Sequence, residues 1–223
     1  MKSAPEQEDL NETDLIDLST ISETFNIILM GDSSTGKTSI LQRFCDNFFK
    51  TEKNNINYLQ IFKKVYLLLN KSYLIKFWDP PDFMDNCNDF EINMFRNCDG
   101  IIYICSYDNA ASLTHINTWY QFLTQYIDLS TKEMALFVNK KDLKEENKKI
   151  TEEQIDKKSK DLQLDIFEIS AKSGYNVNKS FKNIIDKIIE KYKNINKSKG
   201  YEYNTESSDN EIENEKEEGC SII

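Results

Sequence analysis

The sequence lacks the features that define several classes of protein. No apolar run approaches the ~20 residues that a membrane-spanning helix needs, and the N-terminus has no apolar signal core. A single histidine and five cysteines, none of them spaced Cys-x-x-Cys, argue against a zinc site. Scattered thiols of this kind fit a reducing compartment such as the cytosol.

The chain also lacks a basic excess, because its formal net charge is −10 at pH 7. Residues 1–24 carry seven acidic residues against one lysine, and residues 200–219 carry eight against one lysine. The rest of the chain is therefore close to neutral, and nucleic acid is not an expected partner, since phosphate binding needs a basic footprint. We expect a disordered acidic extension over 1–23, a folded domain over 24–193 and a disordered acidic tail over 194–223.

The central part shows alternating strand and helix patterns. Short apolar runs predict strands over 25–30, 59–69, 72–78, 101–105, 134–138 and 165–169. Apolar residues at helical spacing predict helices over 37–44, around 113–123 and over 177–192. Asn70-Lys71 predicts a tight hairpin turn. Together these patterns indicate an α/β fold with a six-stranded, mostly parallel sheet, one antiparallel edge hairpin and helices on both faces. A ligand would bind at the carboxyl ends of the strands.

A phosphate-binding pattern, Gly31-x-x-x-x-Gly36-Lys37-Thr38, lies between the first strand and a helix. This context favours a site over a glycine-rich turn with an exposed lysine. The glycines let backbone N–H groups curl around phosphates, and the helix N-terminus adds positive potential. Lys37 would supply a cation to the β- and γ-phosphates, and the Thr38 hydroxyl would ligate Mg²⁺. The candidate binding residues here are Asp32, Ser33, Ser34, Thr35, Gly36, Lys37, Thr38 and Ser39.

Two further motifs follow the last two strands. Asn139-Lys140-Lys141-Asp142 comes after the fifth strand, and Ser170-Ala171-Lys172 comes after the sixth. In this order, each at a strand end, they resemble the guanine-specificity motifs Asn-Lys-x-Asp and Ser-Ala-Lys of the Ras superfamily. The resemblance covers roughly residues 24–193 and implies the P-loop small-GTPase fold, with GTP or GDP and Mg²⁺ as ligands.

The resemblance assigns a role to each residue of these motifs. Asp142 would accept hydrogen bonds from the guanine N1–H and exocyclic amine, a pattern that adenine cannot offer. Asn139 would read the base edge and tie its loop to the phosphate loop. The Ala171 N–H would reach the guanine oxygen. Lys140 and Lys172 would lay their alkyl stems along the base, and Ser170 completes the set.

Within the superfamily the chain is most similar to the Rab branch. Trp78 just before Asp79 is a Rab-like choice, as is the helical pattern Leu113-x-x-Ile116-x-x-Trp119. We interpret Trp119 as packing its helix on the sheet, and His115, which lies away from every strand end, as a surface residue. The resemblance also implies an effector surface at Ile61, Trp78 and Met94, although these side chains could instead pack beneath the switches.

An ungapped alignment with typical Rabs runs from Arg43-Phe44 to Trp78-Asp79. It places Phe49 where the family has an aromatic ring against the guanine edge. It also places Ile56 where the family has the threonine that ligates Mg²⁺, and Thr51 lies five positions too early to replace it. Asp79, which binds the metal through a water molecule in the family, is retained.

The second switch departs further from the Rab pattern. Thr-Ala-Gly-Gln of the Rabs is replaced by Pro80-Pro81-Asp82-Phe83, and no glycine occurs between residues 36 and 100. Asp82 would turn a carboxylate towards the γ-phosphate, and Phe83 cannot position the attacking water as glutamine does. We therefore expect very slow GTP hydrolysis, with no confident catalytic residue. Some unusual Rabs, however, cycle with an altered glutamine. Ser34 replaces a common phosphate-loop glycine, where a side chain brings strain.

The chain ends in Cys220-Ser221-Ile222-Ile223, the pattern of a prenylation box at Cys220. The resemblance implies a monomer, located in the cytosol and on the cytoplasmic face of an intracellular membrane. It would meet a prenyltransferase, dissociation-inhibitor-type chaperones, effectors and exchange factors. Two functions stay open: a Rab-like switch in vesicle and membrane traffic, and a pseudo-GTPase scaffold that holds nucleotide without sensing the γ-phosphate.

Overall fold

A computed structural model describes residues 20–50, 58–81 and 87–198. Within them, strands and helices follow one another in chain order: β1 (Ile21–Met30), α1 (Lys37–Asp46), β2 (Gln60–Leu68), β3 (Lys71–Asp79), α2 (Asp89–Arg96), β4 (Gly100–Ser106), α3 (Ala110–Thr124), β5 (Glu133–Asn139), α4 (Glu152–Leu162), β6 (Asp165–Glu168) and α5 (Val177–Ser198). Among the helices so described, none is long and apolar enough to cross a bilayer.

The strands form one six-stranded sheet in the order β2-β3-β1-β4-β5-β6. β2 and β3 pair antiparallel at one edge, and all other neighbours are parallel. This confirms the predicted fold class. After β1 the chain moves to one side of that strand, and after β3 it crosses to the other side. The carboxyl end of β1 is therefore a point where the strand order reverses, which is where ligands bind in open α/β sheets.

Side chains alternate along each strand and build a core on both faces of the sheet. On one face, beneath α1 and α5, the ring of Phe181 lies 4.1 Å from Phe44 and 5.2 Å from both Phe77 and Phe137, measured between centroids. The other face is covered by α2, α3 and α4. Burial on both faces explains why β4 is fully buried along its whole length.

The hairpin turn lies one residue earlier than predicted. Leu69 and Asn70 both have left-handed backbones, with φ of +50° and +57°, as in a type I′ turn. Lys71 already belongs to β3 and pairs with Leu68. This register places the buried Tyr73 on the core side of β3, so the burial of the strand decides where the turn falls.

Two helices were missed by the apolar-spacing argument, and both begin with a capping box. In α2 the box joins Asn88 and Glu91, and in α4 it joins Thr151 and Gln154. α4 buries only Ile155, so it offers little periodicity. The capping residues were the sequence signal that could have revealed both helices.

Candidate functional site

The phosphate loop connects the end of β1 to the start of α1, and both of its motif glycines lie against other chain segments. A Cβ on Gly31 would lie 2.2 Å from the backbone oxygen of Ile104. Gly36 has φ of +96°, and a Cβ there would lie 2.4 Å from Nδ2 of Asn139. Neither position has room for a side chain, so the close approach of loop and sheet requires glycine at both.

Lys37 is buried beneath the loop, with 7% of its surface exposed. Its Nζ donates to the Gly31 carbonyl at 2.8 Å, which places the cation inside the curve of the backbone. Thr35 is also buried, and its hydroxyl donates to the Asp32 carbonyl at 2.8 Å. The loop is thus held from within by its own side chains.

The outer part of the loop carries the predicted strain. Ser34 has a left-handed backbone with φ of +61°, a conformation that costs a non-glycine residue about 1–2 kcal/mol. Ser33 and Ser34 are both exposed, while Ser39 lies half-buried in the first turn of α1. Both serines before the second glycine therefore face solvent at the point where a phosphate would bind.

Thr38 and Asp79 meet where a metal site is predicted. The Thr38 hydroxyl donates to Oδ2 of the buried Asp79 at 2.5 Å. Across residues 20–50, 58–81 and 87–198, no group of three or more His, Cys, Asp or Glu side chains could hold a metal by itself. A Mg²⁺ ion keeps several waters and takes ligands from phosphate oxygens, so a hydroxyl and one carboxylate fit its needs.

A buried asparagine joins the phosphate loop to the last sheet loop. Asn139 is 2% exposed, and its Nδ2 donates to the Thr35 carbonyl at 2.8 Å. Its Oδ1 accepts the Ala171 N–H at 3.1 Å. One amide group therefore connects loops that follow β1, β5 and β6.

Lys140 lies across the phosphate loop in a left-handed conformation with φ of +67°. Its Nζ donates to the Ser34 carbonyl at 2.7 Å and to both carboxylate oxygens of Asp108 at 2.7 and 2.9 Å. Burial alone raises the pKa of Asp108, but hydrogen bonds from Lys140 and Ser106 outweigh it and hold the pKa below its usual value. Asp108 was missed by sequence reasoning.

The remaining predicted base-binding residues are Asp142, Ser170, Lys172 and Phe49. Asp142 is exposed, and its Oδ1 accepts the Ser170 hydroxyl at 2.6 Å. Ser170 in turn accepts the Ser173 N–H at 3.1 Å, so the loop itself orients the carboxylate. Lys172 is exposed. Phe49 is half-buried and packs against the core beneath α1 and α5.

A charged cluster missed by the sequence argument lies behind the base loops. The carboxylate of Glu168, at the end of β6, accepts the Tyr107 hydroxyl at 2.7 Å and is paired with Lys141. Lys148 stands over the Tyr107 ring at 4.8 Å from its centroid. Burial would raise the pKa of Glu168, but hydrogen bonds from Lys141 and Tyr107 lower it below its usual value. The cluster holds the ends of β4, β5 and β6 together.

The phosphate loop is also tied to α3. The carboxylate of Asp32 accepts the Trp119 indole N–H at 3.0 Å and lies 2.7 Å from Nδ1 of His115. Trp119 packs among the side chains beneath α2, α3 and α4, as interpreted from the sequence. His115 is exposed, with 52% of its side chain accessible, but it lies beside the carboxyl end of β1 and not away from every strand end as expected. His115 lies there because α3 packs against the phosphate loop through Asp32.

The predicted effector surface is only partly exposed. Ile61 is 45% exposed, whereas Met94 is 6% exposed and belongs to the core, so Met94 is corrected from a surface residue to a packing residue. Trp78 is half-buried and donates to Oδ1 of Asn26 at 3.1 Å. Phe90, 58% exposed, lies 6.2 Å from Trp78 between ring centroids. The first turn of α2 therefore supplies the exposed apolar surface that Met94 does not.

Several predicted features lie outside the described residues, namely Thr51, Ile56, Asp82, Phe83 and Cys220. The start of the second switch is described: Pro80 is buried and Pro81 is half-buried. Two successive prolines remove two backbone donors next to Asp79.

Comparison with known proteins agrees with this geometry. A model of the Ras family matches residues 26–190. Ras-related protein RabG2 of Dictyostelium discoideum is 30% identical over 162 residues, which cover 71% of this chain and 79% of the relative. RabO of the same organism is 27% identical over 214 residues, covering 88% and 95%. Rab-10 of Diplobatis ommata is 26% identical over 167 residues, covering 75% and 82%. The chain therefore belongs to the Ras family of small GTPases and is Rab-like within it.

Proposed function

We propose that this protein is a Rab-like guanine-nucleotide-binding protein that acts in intracellular vesicle and membrane traffic. The observation that carries the proposal is the buried amide of Asn139, which binds the phosphate loop at Thr35 and the base loop at Ala171. This connection sets the separation of the phosphate-binding and base-binding halves of one site.

The described residues support specific roles in binding GTP or GDP. Lys37 is already beneath the loop, where its Nζ can exchange the Gly31 carbonyl for phosphate oxygens. Asp142, oriented by Ser170, presents a carboxylate that matches the two neighbouring N–H donors on guanine. Adenine offers no such pair of donors, so an ATP-binding function is disfavoured.

Thr38 and Asp79 would hold Mg²⁺ beside the phosphates, the threonine directly and the aspartate through water. The ion would supply neutralisation of charge on the β- and γ-phosphates. The contact between these two side chains keeps the threonine hydroxyl oriented before any ligand binds.

Hydrolysis of GTP should be very slow. The reaction depends on orienting a water molecule in line with the γ-phosphate and on stabilising the charge that develops. Phe83 stands in place of the water-positioning glutamine, and its ring neither donates nor accepts a hydrogen bond. Binding is therefore better supported than turnover.

A pseudo-GTPase scaffold is the second candidate, and the rigid Pro80-Pro81 pair favours it. This segment begins the second switch, and it lacks the glycine whose N–H would sense the γ-phosphate. The protein would then hold GDP and GTP alike, without a conformational response to either.

Membrane attachment is proposed through a prenyl group on Cys220. A single prenyl chain anchors weakly, and the acidic stretch over 200–219 would be repelled by anionic lipid. Residence on the cytoplasmic face of a membrane would thus be reversible and depend on partner proteins, such as chaperones of the dissociation-inhibitor type, exchange factors and effectors.

One preparation tests both candidates. The nucleotide bound to the purified protein is identified by chromatography, and single-turnover hydrolysis of GTP is followed with Mg²⁺ present. We expect bound GDP or GTP and cleavage far slower than in a Rab that carries the glutamine, assayed in parallel. Cleavage at the rate of that control would refute the impaired switch. Equal affinity for GDP and GTP, with unchanged hydrogen exchange in residues 79–90, would favour the scaffold.

A further inference from the structure

We propose that Arg43 is a positioning residue for guanine recognition, which it supports by holding the Ala171-Lys172 backbone against the base. This rests on the proposed function, because it assigns a determinant of specificity to the same nucleotide site. Arg43 belongs to none of the three binding motifs, and it lies in α1, in a different part of the chain from the loop that it contacts.

The guanidinium of Arg43 binds three backbone carbonyls at once. Its Nε donates to the Ala171 carbonyl at 2.9 Å, and one terminal nitrogen donates to the Lys172 carbonyl at 3.0 Å. The other terminal nitrogen donates to the Asn47 carbonyl at 2.9 Å. Because the five N–H donors of arginine form a rigid planar fork, these three acceptors are held at fixed relative positions.

Ala171 is thereby held from both sides. Its N–H donates to Oδ1 of Asn139 at 3.1 Å, and its carbonyl accepts from Arg43. Two side chains, one from β5 and one from α1, thus set the orientation of Ala171. With nucleotide bound, its single N–H would be shared between Asn139 Oδ1 and the guanine oxygen, so a small shift of this residue would change the contact to the base. If Arg43 is lost, the restraint on the Ala171–Lys172 peptide is lost, and the Ala171 backbone can shift relative to Asn139.

α1 connects the two halves of the site through this arginine. The helix begins at Lys37, beneath the phosphate loop, and Arg43 follows about 9 Å further along its axis at ~1.5 Å per residue. The stem of Arg43 lies against Gly174, where an added Cβ would come 3.7 Å from its Cδ. The stretch of α1 from Lys37 to Arg43 therefore acts as a rigid spacer between the phosphate-binding and base-binding loops.

The test measures dissociation constants of three nucleotides for the full-length wild type and for Arg43→Gln. GDP carries the guanine oxygen and the exocyclic amine, 6-thio-GDP replaces the oxygen by sulfur, a weaker acceptor, and IDP lacks the amine. The preference for GDP over 6-thio-GDP reports the Ala171 N–H, and the preference for GDP over IDP reports Asp142. We expect Arg43→Gln to bind GDP roughly tenfold more weakly, since charge-assisted hydrogen bonds are lost. We also expect it to lose most of the preference over 6-thio-GDP while keeping the preference over IDP.

Two further variants make the result decisive. Arg96→Gln removes the same charge from the exposed end of α2 and should leave all three constants unchanged. Arg43→Lys keeps the charge and most of the stem, so it should fold even if the glutamine variant does not. A single ammonium cannot serve three carbonyls in the same plane, and the preference over 6-thio-GDP should fall in this variant as well.

The outcomes separate the inference from the function on which it rests. Equal weakening of all three nucleotides in the Arg43 variants, with both preferences intact, would show a purely structural role and overturn the inference alone. Wild-type preferences in Arg43→Lys would also overturn it. If the wild type binds no guanine nucleotide, the proposed function fails, and the inference fails with it.

Discussion

At the scale of single residues, the site depends on how closely its backbone segments approach. Gly36 has no Cβ, and this leaves room for the amide of Asn139. A Cβ at this position would lie 2.4 Å from Nδ2 of Asn139. The same amide accepts the Ala171 N–H and donates to Thr35. One atom at position 36 therefore affects both halves of the nucleotide site.

Gly36→Ala should displace Asn139 and weaken GDP binding at least about tenfold, which corresponds to about 1.4 kcal/mol. It should also lower the free energy of unfolding by about 1–2 kcal/mol, because alanine disfavours the left-handed backbone at φ of +96°. Isothermal titration calorimetry and urea unfolding measure the two effects. Gly174→Ala is the control, since it carries a similar backbone strain at φ of +79°, but its nearest contact would be the Cδ of Arg43 at 3.7 Å, an ordinary van der Waals distance. Equal loss of affinity in both variants would contradict the displacement of Asn139.

The cluster around Glu168 should make stability depend on acid pH. Burial alone would raise the pKa of Glu168, but hydrogen bonds from Lys141 and Tyr107 outweigh burial, and the pKa in the fold lies below its ordinary value. The stabilisation is thus fully present above the unfolded carboxyl pKa and disappears as pH falls through the folded pKa. The stability advantage of the wild type over Glu168→Gln should therefore shrink as pH is lowered from about 6 to about 3.

Urea unfolding across this pH range measures that advantage. Glu152→Gln is the matched control, because Glu152 lies 3.4 Å from the same lysine but is 78% exposed, and exposed ion pairs contribute little. A pH-independent difference between the wild type and Glu168→Gln would show that the carboxylate is not the stabilising form.

At the scale of elements, the β2–β3 hairpin carries a strained turn. Leu69 is 78% exposed and has φ of +50°, whereas asparagine tolerates this conformation far better than leucine. Leu69→Asn should stabilise the protein by about 1 kcal/mol, or roughly 2–4 °C in melting temperature for a domain of this size. Differential scanning calorimetry measures the change.

Lys71→Asn provides the contrast for this turn. Lys71 lies in β3 opposite Leu68, and asparagine is unfavourable in strands, so this variant should be less stable than the wild type. Stabilisation by Lys71→Asn and not by Leu69→Asn would place the turn at residues 70–71, where the sequence alone predicted it.

At the scale of the whole molecule, the site draws on loops from across the sheet, so nucleotide binding should be linked to global stability. At about a thousandfold excess over its dissociation constant, a ligand stabilises the folded state by about 4 kcal/mol. After bound nucleotide is removed, GDP with Mg²⁺ should raise the melting temperature by about 10 °C, and ADP should have no such effect.

Two controls assign this shift to the predicted groups. Chelation of Mg²⁺ by EDTA should reduce the shift, because the ion proposed to bind Thr38 and Asp79 would then no longer neutralise the phosphates. Asp142→Asn should abolish the response to GDP, since the amide no longer accepts both guanine donors. A shift of equal size with ADP would contradict guanine specificity.

The sequence by itself determined the family, the strand pattern and the binding motifs. Those signals are local: β-strand runs of five or so residues, a glycine-rich loop before a helix, and short motifs such as Asn139 to Asp142. It could also have revealed α2 and α4 through their capping boxes, because these too are formed by residues three apart.

Only the tertiary structure decided which distant residues support the site. Arg43 reaches Ala171 across 128 positions, and His115 reaches Asp32 across 83. Met94 is buried and Phe90 is exposed, although both lie on the same short helix. Such contacts follow from the order of strands and from how each helix is rotated against the sheet. Both are set by the packing of the whole core, and no local pattern of residues encodes them.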